Sequence, residues 1–210
     1  MVKRILFDLD DTLFPFLEEY WCTLEYTLEE EHVQINQKII DQLRKNVADY
    51  EKEYTMYTKK NMYNILQRGL PFKLPKTFVD TWIKQLSMCY PTDLENIKDV
   101  LSYLSQKYEL VVLTNWFTEQ QRLRLKGAGL DSYFEEIIGT DQVLNKPNKE
   151  AFLRGCKKYK PEECVMIGDS LQVDILGALN AGLQAIYLNK TGIKTNYREI
   201  KRLEELKEIL

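Results

Sequence analysis

Hydrophobic residues are spaced in two different ways along this chain. Between residues 15 and 91, apolar side chains such as Phe16, Tyr20 and Leu24 recur every four residues, which is typical of amphipathic helices. Before and after that segment, short apolar runs such as 4–7 and 110–113 alternate with helical patterns. Short strands separated by helices predict a parallel sheet that is covered on both faces.

These patterns predict an α/β protein with two domains. The core domain, residues 1–14 and 92–210, is expected to be a Rossmann-like, doubly wound parallel sheet. A helical domain, residues 15–91, is inserted after the first strand, and Pro15 and Pro91 mark its ends. Further strands are expected at 137–139, 165–168 and 184–188. Helices are expected at 58–68, 76–89, 94–106, 119–128, 149–159, 172–180 and 199–210.

Polar residues follow three of the predicted strands at the point where each strand ends. Asp8 follows the first strand, Thr114-Asn115 follows the second, and Asp169 follows a later one. In open parallel sheets, ligands bind beyond the carboxyl ends of the strands, where the strand order reverses. We therefore expect these groups to meet at one edge of the sheet and to form the functional site.

The acids after the first strand point to a bound cation. Asp8 and Asp10 are two residues apart, so strand alternation predicts that both point to the same side. Like charges at that separation repel, and one acid would stay neutral unless a divalent metal were bound. A helix cap or a solvated turn would explain Asp11 and Thr12 equally well, but it would not explain an acid at position 8, inside the apolar run.

Composition narrows the class of protein. The 210 residues carry a formal charge of −3, without the concentrated basic face of a nucleic-acid-binding protein. No apolar run approaches the ~20 residues that span a bilayer. Neither nucleic acid nor a membrane is therefore an expected partner, and a cytoplasmic location is predicted.

Histidine and cysteine chemistry is not expected. The single histidine, His32, lies in an acidic run and is predicted to be a surface residue, which argues against a histidine triad or a histidine-bound zinc. The four cysteines lack close metal-ligand spacing and lie in apolar stretches, where reduced buried thiols are expected. They are Cys22, Cys89, Cys156 and Cys164.

Four motifs together resemble the haloacid dehalogenase-like (HAD) superfamily, in its phosphatase branch. They are Asp8-x-Asp10-x-Thr12 after a strand, Thr114-Asn115 after a strand, Lys146-Pro147, and Gly168-Asp169-Ser170-x-x-x-Asp174 after a strand. Each motif alone is common, but in this order and spacing they frame almost the whole chain. The resemblance implies that the helical insertion is a C1-type cap domain, which would close over substrate to exclude water.

The resemblance also implies a role for each motif residue. Asp8 would be the nucleophile that forms an aspartyl-phosphate, and Asp10 would protonate the leaving group and then activate water. Mg²⁺ would be bound by Asp8, by the main-chain carbonyl of Asp10 and by Asp169. The phosphate would be bound by Thr114, Asn115 and Lys146. Thr12, Ser170 and Asp174 would surround these groups and hold them in position.

The expected function is Mg²⁺-dependent hydrolysis of a small phosphorylated metabolite by a monomer or homodimer. Aromatic side chains in the insertion favour a nucleoside 5′-monophosphate as substrate, beside a sugar phosphate. A phosphomutase and a non-catalytic binding protein on the same fold stay open as alternatives. A dehalogenase would need no acid at position 10, and a phosphonatase would need a cap lysine, for which Lys59 and Lys60 are the candidates.

Overall fold

The structure is a computed structural model that describes residues 1–15 and 19–210. The chain divides into two compact units, one made of residues 1–15 and 90–210 and the other within residues 16–89. Phe16, where the first helical pattern was predicted to begin, lies outside the described residues. That the second unit is a cap domain stays a prediction.

The second unit is helical throughout its regular, described elements. Its helices are α1 (Glu19–Glu30), α2 (Gln37–Glu53), α3 (Lys59–Leu66) and α4 (Phe78–Ser87). Asn36 caps α2 and Thr58 caps α3, since each side chain accepts a hydrogen bond from a main-chain N–H of the first helical turn. Aromatic side chains at helical spacing pack inside this unit: Tyr50, Tyr57, Phe78 and Trp82 are buried.

The first unit contains one parallel sheet, which has six strands in the described part of the chain. They are β1 (Arg4–Phe7), β2 (Glu109–Leu113), β3 (Glu136–Ile138), β4 (Cys164–Gly168), β5 (Gln184–Leu188) and β6 (Glu199–Ile200). Their order across the sheet is β3-β2-β1-β4-β5-β6, and all neighbours are parallel. The predicted α/β class with a parallel sheet is therefore confirmed.

Helices cover both faces of this sheet, as its apolar strands require. They are α5 (Glu95–Ser105), α6 (Thr118–Gly127), α7 (Lys149–Cys156), α8 (Gly177–Ala181) and α9 (Leu206–Ile209). Ile5 and Phe7 of β1 pack with side chains of α5, α6 and α9, whereas Leu6 packs with side chains of α7 and α8. Alternate residues of the central strand thus face two separate hydrophobic clusters.

Two C-terminal segments differ from the sequence-based prediction. Residues 199–210 were predicted to be one helix, but the segment begins with β6, which pairs with β5, and only α9 is α-helical. A two-residue edge strand leaves no periodic signal, since Ile200 is its one buried apolar side chain. The helix predicted at 172–180 consists of a π-helical turn, Leu171–Leu176, followed by α8. Such wide turns are frequent at functional sites.

The remaining predictions on single residues are partly corrected. All four cysteines lie in the described part of the chain and none of them forms a disulfide, but Cys22 and Cys89 are only half-buried, in contrast to Cys156 and Cys164. His32 is exposed, as predicted. Across residues 1–15 and 19–210, no helix combines the length and the apolar character needed to cross a membrane.

Candidate active site

The candidate site lies at the carboxyl edge of the sheet, where the strand order reverses. β1 lies between β2 and β4, so the residues that follow these three strands are neighbours. Asp8 directly follows β1, Thr114 directly follows β2, and Asp169 directly follows β4. The fold therefore brings together the three strand ends that carry polar groups in the sequence.

A buried lysine links two of the acids. Lys146 Nζ donates to Asp8 Oδ1 at 2.6 Å and to Asp174 Oδ1 at 2.7 Å, and all three residues are buried. A lysine in this environment stays charged only because carboxylates surround it. Burial alone would lower the pKa of Lys146, but Asp174 and Asp8 more than offset that effect, so its pKa lies above the ordinary value.

Two of the acids at this edge, Asp8 and Asp169, resist ionisation. Burial, together with the charge of Asp174, raises the pKa of Asp8 to about 8, although the nearby Lys146 ammonium lowers it. The pKa of Asp169 is also raised, by burial first and then by Asp174 and Asp11. Perturbed carboxyl groups that share a cleft are a physical mark of a functional site.

Three of these acids could hold a cation together. One carboxylate oxygen from each of Asp8, Asp169 and Asp174 lies within 4.8 Å of the other two. The predicted ligand set named Asp10 instead of Asp174, through its main-chain carbonyl. Asp174 is also tied to the protein, because its Oδ2 accepts a hydrogen bond from the Ser170 N–H at 3.1 Å.

The smaller polar residues of the motifs hold the loops that carry these acids. The Thr12 hydroxyl lies 3.3 Å from Asp8 Oδ2 and 3.3 Å from Asp169 Oδ1, so it can donate to either. The Ser170 hydroxyl accepts from the Val173 N–H and thereby caps the π-helical turn that carries Asp174. Thr12 therefore contacts two of the acids and Ser170 holds the turn that carries a third, while the supporting role predicted for them stays a prediction.

The side chain of Asn115 is used to fix the loop of Lys146. Its Oδ1 accepts from the Lys146 main-chain N–H at 2.8 Å, and its Nδ2 donates to the Lys146 main-chain oxygen at 2.9 Å. This reciprocal pair orients the lysine backbone 31 residues away in the sequence. The Asn115 side chain therefore positions Lys146, and a predicted phosphate contact from this residue would come from main-chain amides.

Gly168, the last residue of β4, lets Asp174 approach the strand end. A Cβ atom at position 168 would lie 2.4 Å from Asp174 Oδ2, which is too close for any side chain. The glycine of this motif is thus required by a close approach of an acid, and not by an unusual backbone angle.

Asp10 lies in a different environment from Asp8. Strand β1 ends at Phe7, and the chain then turns, because the main-chain N–H groups of Thr12, Leu13 and Phe14 all point to the oxygen of Leu9. Strand alternation therefore does not extend to Asp10, and the predicted common orientation of the two acids does not follow from it. The Asp10 carboxylate pairs instead with α6.

Two residues of α6 contact the Asp10 side chain, and neither was singled out from the sequence. Arg124 Nη1 lies 2.7 Å from Asp10 Oδ1, and Gln121 Nε2 lies 2.8 Å from Asp10 Oδ2. Hydrophobic periodicity gave no signal for them, because the residues that α6 buries are mostly polar. At the other side of the same loop, Lys190 Nζ donates to the main-chain oxygen of Asp11.

Comparison with known proteins identifies the family. The profile of the family described as haloacid dehalogenase-like hydrolase matches residues 5–188, a range that contains all of the motif residues. The chain belongs to this family. The family accounts for both the parallel sheet and the order of the motifs along it.

Curated relatives of this HAD-family chain include phosphatases. The human (Homo sapiens) N-acylneuraminate-9-phosphatase is 36% identical over 114 residues, which cover 52% of this chain and 46% of the relative. The matches to the human, rat and mouse proteins of that name thus span less than half the length of each. Pyrimidine 5′-nucleotidase YjjG of Escherichia coli is 27% identical over 98% of this chain and 96% of the relative.

The solved structures include a HAD hydrolase of similar fold. The HAD-hydrolase YfnB from Bacillus subtilis, solved with bound magnesium, is 26% identical, with a TM-score of 0.76. The alignment covers 100% of this chain and 98% of YfnB. The fold of the HAD family, predicted from the motifs, is therefore confirmed.

Proposed function

We propose that this protein is a divalent-metal-dependent phosphatase that hydrolyses small phosphorylated metabolites through an aspartyl-phosphate on Asp8. The observation that carries the proposal is the buried Asp8 carboxylate, held 2.6 Å from Lys146 Nζ within reach of Asp169 and Asp174. A carboxylate in this position can attack phosphorus, and the Lys146 ammonium beside it can stabilise the negative charge of the phosphoryl group.

The donor set fits a hard divalent cation such as Mg²⁺. The candidate ligands are carboxylate oxygens, which Mg²⁺ prefers, and their crowding is unfavourable without a positive charge. We expect Asp8, Asp169 and the main-chain carbonyl of Asp10 to hold the ion, with Asp174 kept nearby by Lys146 and Ser170. When bound, the ion would neutralise charge on the transferring phosphoryl group.

The first chemical step transfers the phosphoryl group to the protein. An oxygen of Asp8 attacks phosphorus as the bond to the leaving oxygen breaks, and the leaving oxygen takes a proton from Asp10. Lys146 and the Thr114 hydroxyl hold the phosphoryl oxygens, together with main-chain amides near Asn115. Catalysis in this step is mainly positioning and charge stabilisation.

The second step returns Asp8 to its free form. Water gives a proton to Asp10 and attacks phosphorus, and the bond between phosphorus and Asp8 breaks. Inorganic phosphate leaves, and Asp10 again carries the proton needed for the next turnover. Proton transfer of this kind typically contributes about 10²- to 10⁴-fold to the rate.

The substrate class is proposed more broadly than any one relative suggests. One relative is named for an acylneuraminate 9-phosphate and another for pyrimidine 5′-nucleotides, and these share only a phosphate ester on a small polar molecule. We therefore propose sugar, sugar-acid and nucleoside monophosphates as the class to test. The presence of Asp10 supports ester hydrolysis over dehalogenation, because alkoxide leaving groups need an acid.

The test is phosphate release from para-nitrophenyl phosphate and from a panel of these metabolites, with Mg²⁺ and with a chelator. We expect release that requires Mg²⁺ and that Asp8→Asn abolishes. Asp99→Asn is the matched control, since that acid is 69% exposed on α5. Release that survives in purified Asp8→Asn protein would reject Asp8 as the nucleophile.

Product analysis separates the phosphatase from the phosphomutase alternative. A mutase would move the phosphoryl group to a second hydroxyl and would release no stoichiometric phosphate from any panel member. If the phosphoryl group is transferred neither to water nor to a hydroxyl, the result would favour a binding protein. A phosphate ester would then be expected to bind without turnover.

A further inference from the structure

Asp10 is held at both carboxylate oxygens by side chains of α6. Arg124 Nη1 donates to Asp10 Oδ1 at 2.7 Å, and Gln121 Nε2 donates to Asp10 Oδ2 at 2.8 Å. Residues three apart in a helix share a face, so α6 presents both donors side by side. Two opposed contacts of this kind fix the rotation of a carboxylate and not only its distance.

The donors themselves are rigidly held. Gln121 is fully buried and Arg124 is 2% exposed. Arg124 Nη1 also donates to Gln121 Oε1 at 2.7 Å, and the guanidinium lies 5.2 Å from the centre of the Phe14 ring. A buried guanidinium needs its anionic partner, and truncating one member of such a pair is strongly unfavourable. The side-chain position of Asp10 is therefore set by α6.

The same network reaches the residue that follows β2. The Gln121 amide nitrogen donates to Thr114 Oγ1 at 3.0 Å, in addition to its contact with Asp10. An amide –NH₂ carries two N–H donors, one for each of these acceptors. Because the Thr114 oxygen accepts this bond, its own O–H hydrogen points away from Gln121 and can be donated to another acceptor.

We propose that Arg124 and Gln121 are positioning residues, which aim the Asp10 carboxylate at the leaving group and the Thr114 hydroxyl at the phosphoryl group. This inference rests on the proposed phosphatase function. It adds two residues that lie outside the four motifs. In this proposal, α6 aligns the Asp10 carboxylate, which transfers the proton, with the phosphate site. Both residues act through Asp10 and Thr114, and neither is assigned a contact with the substrate.

The opposing explanation is that the Arg124–Asp10 pair only stabilises the fold. The two explanations differ in how the rate depends on the leaving group. A para-nitrophenolate leaves without a proton, whereas a phenolate leaves much better with one. A misaligned Asp10 should therefore slow transfer from phenyl phosphate more than transfer from para-nitrophenyl phosphate. A loss of folded protein lowers both rates by the same factor.

The test compares Arg124→Met, Arg124→Lys and Gln121→Leu in the full-length protein with Mg²⁺. Arg122→Met is the matched control, because Arg122 lies on the same helix, is 54% exposed and pairs only loosely with Glu119, at 3.7 Å. For each variant, kcat and KM are measured on both aryl phosphates. The fraction of folded protein is followed by urea unfolding.

We expect Arg124→Met to lower kcat on phenyl phosphate about 100-fold, with KM unchanged, as for the loss of a positioned acid. With para-nitrophenyl phosphate, a rapid burst of nitrophenolate equal to the enzyme concentration should remain. The steady rate after the burst should fall, because water attack also needs Asp10. Arg124→Lys should restore part of the rate, and Gln121→Leu should show the same pattern with a smaller loss.

The outcomes separate this inference from the proposed function. If the wild-type protein releases phosphate and Arg124→Met matches Arg122→Met, or slows the phosphoryl-transfer step by the same factor on both substrates with no burst from para-nitrophenyl phosphate, positioning is overturned and the phosphatase function stands. If Arg124→Met does not fold, Arg124→Lys and Gln121→Leu decide by the same criterion. If the wild-type protein releases no phosphate, the proposed function fails and this inference fails with it.

Discussion

The two ends of the central strand carry opposite electrostatic arrangements. At the amino end of β1, Arg4 is fully buried, and its guanidinium donates to Glu109 Oε2 at 2.5 Å and to the Gly155 main-chain oxygen at 2.8 Å. Glu109 also accepts from Lys158 and Tyr159. Hydrogen bonds from Lys158, Tyr159 and Arg4 hold the pKa of Glu109 down to about 2.

At the carboxyl end of the same strand, acids outnumber the cation that they contact. Asp8 and Asp174 share Lys146, and Asp169 lies within the same cluster. Burial raises the pKa of Asp8 to about 8. Glu109, at the amino end of β2 beside Arg4, and Asp8, at the carboxyl end of β1, are thus driven in opposite directions, one towards ionisation and the other away from it.

This difference suggests a division of roles, with stability at the amino end of β1 and function at its carboxyl end. At the amino end, the charge of the buried Arg4 is paired within the protein, with Glu109 at 2.5 Å and with Glu136 at 3.5 Å. The carboxyl end gathers more negative charge than its own side chains neutralise, and a divalent cation would relieve that repulsion. Local departures from the most stable arrangement are expected at functional sites.

Removing the shared cation should have the largest effect on both turnover and stability. In Lys146→Met, Asp8 and Asp174 would lose the lysine that they share, and removing one partner of a buried ion pair typically costs about 3–5 kcal/mol. We expect phosphate release to become undetectable and the urea midpoint to fall sharply. Lys149→Met, an exposed lysine of α7, is the control and should change neither. Wild-type stability in Lys146→Met would show that the acids do not depend on this cation.

Binding of Mg²⁺ should stabilise the carboxyl end of β1. Ligands that bind only the folded state stabilise it by about 2.7 kcal/mol at a concentration of 100 times Kd. We expect Mg²⁺ to raise the thermal midpoint of the wild-type protein, a chelator to reverse the shift, and Asp169→Asn to reduce it. An equal Mg²⁺ shift in Asp169→Asn would exclude Asp169 as a ligand.

Substitution at the amino end of the strands should change the stability of the protein but not its turnover. We expect Glu109→Gln to lower the free energy of unfolding by about 1–3 kcal/mol, since Arg4 would lose its charged acceptor, and to leave turnover unchanged. Glu135→Gln, an exposed neighbour of β3, is the control.

The loss of stability in Glu109→Gln should depend on pH in a direction that the pKa of Glu109 determines. Glu109 has a pKa of about 2 in the folded protein and an ordinary value of about 4.3 when unfolded. Between these values the unfolded chain binds more protons, so the contribution of Glu109 is complete above about pH 4.3 and is lost as the pH falls towards 2. The difference between wild type and Glu109→Gln should shrink over that range. A constant difference would mean that the Glu109 charge is not involved.

The smallest effect is expected for the lysine considered for Schiff-base chemistry. Lys59 is exposed and pairs with Asp80, which is exposed as well. Surface pairs of this kind contribute about 0–1 kcal/mol. We expect Lys59→Ala to change stability by less than that and to leave turnover of phosphate esters intact. Loss of all turnover would reopen the phosphonatase alternative.

The sequence carried the information for the sheet and the strand ends but not for the partners of Asp10. Short apolar runs ending in Asp8, Thr114 and Asp169 predict strands that deliver polar groups to one edge, because the signal is local. Arg124 and Gln121 reach Asp10 from more than 110 residues away in the chain. Their helix has no apolar stripe that would mark its buried face, so hydrophobic periodicity could not identify them.

The C-terminal strand illustrates the same limit. Residues 199–210 have helical periodicity, yet Glu199 and Ile200 pair with β5 as β6. Pairing at a sheet edge depends on which groups the neighbouring strand leaves open, and that is a property of the assembled sheet. Tertiary context therefore overrides local pattern at this end.

The central claim is that Asp8 lowers the free energy of unfolding, whereas Glu109 raises it. The direct test is the free energy of unfolding of Asp8→Asn at pH 7 in chelator, measured by urea beside wild type and Glu109→Gln. Because the folded pKa of Asp8 lies above the unfolded value, its ionisation opposes folding as the pH rises from about 4 towards 8. We predict that Asp8→Asn is at least as stable as wild type and releases no phosphate. A loss of stability as large as that of Glu109→Gln would contradict the claim.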